Sequence, residues 1–119
     1  MAREDLGKKV DLAFLSAFYG GLLTERQRQV LSLHCEEDLS LGEVAQEVGI
    51  SRQTVHETLT RASDKLAELE SALGVAAKFR QMETGLEQAL DSLRHQQYDR
   101  VEAILLSLLH LEQEENNGL

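Results

Sequence analysis

The stretch Ser40-Leu41-Gly42-Glu43-Val44-Ala45-Gln46-Glu47-Val48-Gly49-Ile50-Ser51-Arg52-Gln53-Thr54-Val55 decides the fold. Ser40 with Glu43 forms a capping box: the serine hydroxyl accepts from the Glu43 amide while the Glu43 side chain returns to Ser40. Leu39 and Val44 occupy the two hydrophobic-staple positions, so a short helix over 41–48 is expected. Gly49 allows a left-handed backbone, Ile50 plugs the inner side of the turn, and Ser51 caps the next helix, with Ile50 and Val55 as its staple. Ala45 supplies a small side chain where the second helix must cross closely. The spacing of Ala45, Gly49, Ile50, Ser51 and Val55 reads as a helix-turn-helix.

The flanking sequence extends this into an all-α chain of about six helices. Leu6, Val10, Phe14, Ala17 and Phe18 recur at helical steps over 5–19, and Gly20-Gly21 supplies a stop. Thr24 with Gln27 forms another capping box, opening a helix over 25–35 that carries Val30, Leu31 and Leu33; Glu36-Glu37-Asp38 reads as a solvated loop. After Ser51, Val55, Leu59, Ala62, Leu66, Leu69 and Leu73 mark one stripe of a long helix over 52–73, which Gly74 ends. Phe79, Met82, Leu86, Leu90 with Ala89, and Leu93 continue the period through a fifth helix, which Gly85 weakens. His95 to Tyr98 forms a polar connection, and Asp99 with Glu102 caps a sixth helix carrying Val101, Ile104, Leu105, Leu108 and Leu109. The expected division is a helix-turn-helix domain over 1–74 and a C-terminal helical hairpin over 75–119 with a frayed acidic tail from Glu112.

Composition agrees with helices: proline is absent and aromatics are 4% of the 119 residues. The single cysteine, Cys35, has no partner for a disulfide within the chain, and Met1-Ala2-Arg3-Glu4-Asp5 lacks the apolar run of a signal peptide. The most apolar patch, Ala103 to Leu109, is too short to span a bilayer. A cytoplasmic protein is expected. His34 beside Cys35, with His56, His95 and His110 scattered, gives no metal-ligand spacing, and no nucleophile elbow or phosphate loop is present. No metal, no cofactor and no catalytic residue are therefore expected.

In a helix-turn-helix the first turns of the second helix face the major groove, so Arg52, Gln53, Thr54 and His56 are the candidate base readers. Arg61, Lys65, Arg26 and Arg28 are the candidate phosphate contacts. The net charge of −9 opposes them, and residues 39–65 alone hold three basic side chains against four acidic ones, Glu57 lying one turn from Gln53. Nucleic acid or a protein partner both remain open on these residues.

Leu23-Thr24-Glu25-Arg26-Gln27-Arg28, Ser40 through Ala45, Gly49 through Val55, and Arg61-Ala62 resemble region 4 of bacterial sigma factors. With Phe18-Tyr19-Gly20 just before Leu22, the chain more narrowly resembles the YlxM family of small helix-turn-helix proteins over about residues 8–80. The resemblance implies a regulatory role in the signal recognition particle pathway, because genes of that family typically lie beside those for its GTPase or receptor. The implied partners are the signal recognition particle GTPase, its RNA, or the cognate operon; the rival reading is a sequence-specific DNA-binding transcription regulator. Leu105, Leu106, Leu108, Leu109 and Leu111 make a face wider than one neighbouring helix covers, so a homodimer through residues 75–111 is also expected.

Overall fold

The computed structural model describes the backbone of residues 2–117 and the side chains of residues 8–111. Leu6 and the side chains of the tail from Glu112 lie outside that range. Six α-helices follow one another: α1 (Ala2–Tyr19), α2 (Glu25–Leu31), α3 (Leu41–Val48), α4 (Arg52–Leu73), α5 (Val75–Arg94) and α6 (Tyr98–Asn117). The chain is all-α with a helix-turn-helix, as the sequence indicates. It divides into two compact units, Met1–Ala76 and Ala77–Leu119.

In the first unit the local signals act where the sequence places them. Both capping boxes form, with the Thr24 and Ser40 hydroxyls accepting the Gln27 and Glu43 amides and the two N3 side chains bonding back. Gly49 adopts φ +80°, and the amides of Gly49 and Ile50 both reach the Ala45 carbonyl. A Cβ added at Gly49 would meet nothing within 4 Å, so glycine is required there by backbone conformation and not by space. The turn brings α3 onto α4, sealing Val30, Val44 and Val55 completely, with Ala45, Val48 and Ile50 packed around them. Each such side chain contributes roughly 1.5–3 kcal/mol by leaving water.

A second cluster joins α1 to α4. Tyr19, Leu23, Leu31, Ala62 and Leu66 are buried, with Leu12, Leu15 and Phe18 of α1 against them. The apolar stripe expected on α1 is thereby corrected: Val10 is 57% exposed and Ala17 is also outside, and α1 is rotated to present Leu12 and Leu15. The Tyr19 hydroxyl donates to Glu70 at 2.5 Å and accepts the Val75 amide, while the same Glu70 oxygen takes the Ala76 amide. These two side chains satisfy the first donors of α5, which a helix cannot satisfy itself.

Three further expectations change. The second helix stops at Leu31, and Ser32–Glu36 widens into a π-helical turn, closed by Asp38 at φ +58°. Asp38 stays in an exposed loop as expected, and from there it pairs with Lys9 at 2.6 Å and ties the bend to α1. Leu73 is half-exposed and leaves the α4 stripe. Asp99 lies inside the first turn of α6 instead of capping it, because the chain turns helical at Tyr98 and the Gln97 carbonyl accepts the Val101 amide.

In the second unit, α5 and α6 are linked by His95-Gln96-Gln97. Gln96 is left-handed, and the amides of Gln96 and Gln97 return to Leu93 and Ser92, a Schellman closure. The helices touch at Gly85, where a Cβ would fall 2.5 Å from a Leu108 methyl. Gly85, a weak point by helix propensity, gives α6 room for a close approach. Small residues line this seam, Gly85, Ala89 and Ser92 being buried with Leu108, while Phe79, Leu86, Leu90 and Leu93, expected to pack, are about half-exposed. The α6 backbone stays helical to Asn117, through most of the stretch assigned to a frayed tail.

Two outcomes follow from the first unit. Gly49→Ala should lower stability by about 1–2 kcal/mol, the cost of a left-handed L-residue, and Gly49→Asn by less. Urea unfolding with an unchanged slope checks this. Lys9 holds the Asp38 carboxyl below the usual carboxylate range by its hydrogen bond, and the Ser40 amide does the same for Glu43. Their stabilisation is present above the unfolded value of about 4 and disappears as pH falls through the lowered native values. Melting temperatures taken from about pH 6 down to about pH 3 should therefore fall less steeply for an Asp38→Asn/Glu43→Gln variant than for the parent chain.

Candidate nucleic-acid interface

The first two turns of α4 stand at the exposed end of the helix-turn-helix. Ser51 caps them: its hydroxyl accepts the Thr54 amide at 3.0 Å and lies 2.7 Å from the Thr54 hydroxyl. Val55 faces inward, fully buried, and fixes the rotation of the helix. Successive residues then point about 100° apart. Gln53 and Glu57 fall on the crest opposite Val55. Arg52 and His56 lie down one flank, whereas Thr54, Arg61 and Lys65 lie down the other.

All six of the α4 residues singled out in the sequence are exposed, but they do not form one patch. Thr54 is engaged twice, its hydroxyl in the cap and its carbonyl by Thr58. Arg26 and Arg28 are exposed on α2, the Arg28 stem lying beside Gly20 at the end of α1. The crest itself is a hydrogen-bonded pair: the Gln53 amide donates to Glu57 at 3.3 Å. This leaves Gln53 a second N–H and its carbonyl oxygen, the pair that matches adenine N7 and N6 in the major groove. Glu57 thus orients the glutamine while placing a negative charge on the crest.

The flank that carries His56 opens on a groove of about 540 Å³ between α1, the π-helical turn and α4. Leu12, Leu41 and Leu59 line it, and Lys8, Lys9 and His34 stand at it. His34 is held there by its Nδ1, 2.7 Å from the Leu39 carbonyl. Sequence reasoning missed these basic residues because nothing local to Lys8-Lys9 announces that α1 packs beside α4. Among the described residues at this groove Lys9 is committed to Asp38, which leaves Lys8, and the Asp64 carboxylate lines the groove as well.

Cys35 is half-buried against the core and burial pushes its thiol up, the opposite of an activated nucleophile. Among the described residues no group of three or more His, Cys, Asp or Glu could hold a metal ion. Among them, too, no helix is long and apolar enough to cross a membrane.

Comparison with known proteins agrees with this geometry. Residues 6–106 match the model of the UPF0122 family, described as "Putative helix-turn-helix protein, YlxM / p13 like". A UPF0122 protein of Desulforamulus reducens is 44% identical over 79 residues, covering 66% of this chain and 68% of that protein. Another, of Halalkalibacterium halodurans, is 38% identical over 108 residues, covering 90% of this chain and 99% of its relative. With a helix-turn-helix built on Gly49 and a match over most of its length, the chain belongs to the UPF0122 family of YlxM-like helix-turn-helix proteins.

Proposed function

We propose that the chain is a non-catalytic regulator that binds duplex DNA through the first two turns of α4. The observation that carries this reading is the exposed, serine-capped start of α4, with Arg52, Gln53 and His56 presented on a helix whose rotation Val55 fixes. A B-form major groove admits such a helix, whereas the deep, narrow major groove of A-form RNA does not. Gln53, held by Glu57, reads adenine; Arg52 reads guanine or touches phosphate; Lys8 and His56 follow the backbone along the groove flank. The thin positive charge makes the complex weak and selective, since few phosphates are neutralised. The resemblance to YlxM proteins supports a place in the signal recognition particle pathway, with the cognate operon as target. Cytoplasmic action as a homodimer completes the reading, two helix-turn-helix units reading two half-sites.

Titrating the purified chain with duplex DNA from its own operon's upstream region, with signal recognition particle RNA, and with the GTPase tests this. At about 50 and about 200 mM salt, the expected result is sequence-preferring duplex binding with a shallow salt slope, as few released counterions require. Arg52→Ala should weaken it roughly 5- to 150-fold, the loss of one base contact worth about 1–3 kcal/mol. Binding to the RNA or the GTPase alone contradicts the DNA reading, and an unaltered affinity in Arg52→Ala contradicts the assigned face.

A further inference from the structure

We infer that the second unit carries the self-association surface of this protein, one broad side of the α5–α6 hairpin closing on the same side of a second copy as a four-helix bundle. This rests on the pairing of units proposed above, but not on which ligand they take.

The hairpin has two dissimilar sides. The small seam Gly85, Ala89 and Ser92 faces Leu108. On one side of that seam lie two open depressions, to which α5 contributes Thr84, Gln88 and Asp91 and α6 contributes Arg100 and Ser107. At about 100° per residue, the opposite side receives Leu86, Leu90 and Leu93 from α5 and Tyr98, Leu105 and Leu109 from α6. The five leucines remain 42–57% exposed and Tyr98 64%. A more polar side, which Ala103 and Ile104 of α6 also line, is thus backed by a leucine side, and among the described residues the hairpin buries one large apolar side chain, Leu108. Two helices of 20 residues each with so little between them form half of a core.

The second copy is the occupant that the area and chemistry favour. The six side chains offer on the order of 600 Å² of apolar surface, the upper end of what a monomer leaves open. Two such faces covering each other bury about 1,200 Å², the threshold of a specific, stable interface. The α5 stripe of Leu86, Leu90 and Leu93 holds no charged side chain and no hydrogen-bonding group by which a different protein would be selected. A leucine stripe of this kind is self-complementary under a two-fold axis, where each residue meets its own counterpart or its neighbour.

Light scattering on the full chain at about 20 μM should give twice the 13.3 kDa chain mass. Leu86→Gln/Leu109→Gln should give the single-chain mass with helical circular dichroism retained, while Gln88→Ala, on the polar side, should leave the dimer intact. Hydrogen exchange on the unmodified chain supplies a readout independent of any variant's folding: amides of 86–93 and 105–109 should gain protection as concentration rises through the transition. A parent chain of 13.3 kDa overturns the proposal. So does a dimer that persists in the double variant, or concentration-dependent protection confined to residues 8–76. Each of these results leaves the DNA titration to be judged by itself.

Discussion

The contact between Val44 of α3 and Val55 of α4, sealed beneath Val30 of α2, is the constraint on which the rest of the first unit depends. It exists because the backbone reverses within three residues, and that reversal needs a residue comfortable at φ +80°. With the reversal made, burial of Val55 determines which side of α4 faces outward. The exposed crest at Gln53 and Glu57 is therefore a consequence of packing on the other side of the same helix. A substitution at 49 or 55 would act on the exposed start of α4 without touching it.

The same helix carries a conflict that its chemistry resolves locally. An acidic chain approaches phosphate against its own field. Glu57 sits on the crest, yet it accepts a hydrogen bond from Gln53 and narrows the directions that amide can take. An exposed bond of this kind stabilises the helix by only a few tenths of a kcal/mol. Its effect is on the orientation of the Gln53 amide. Beside the arginines of α4, Lys8 of α1 adds a positive charge at the groove that Asp64 also lines, through the second core that docks α1 on α4.

What could be read in the sequence was what local chemistry decides. The capping boxes at Thr24 and Ser40, the glycine turn, and the ends of α3 and α4 depend on residues three or four apart, and the chain settles them without distant partners. What could not be read depends on contacts far along the chain. The face that α1 buries was chosen by Leu31, Ala62 and Leu66, which selected Leu12 and Leu15 over Val10. The π-helical turn is closed by Asp38, which Lys9 holds from 29 residues away. Gly85 carries the signature of a weak helix, and only the closeness of Leu108 gives it a purpose. At the candidate site, the exposure of Arg52, Gln53 and His56 was legible from the cap, whereas the Lys8 flank was not. That division follows the range of the forces: caps act within a turn, and packing acts across the whole unit.

The proposed presentation of the start of α4 to duplex DNA is open to amide chemical-shift mapping on the labelled chain as operon duplex is added. The largest shifts should fall at residues 52–57, with a smaller set near Lys8 and Lys9. Shifts confined to residues 77–111, with 52–57 unmoved, would contradict it.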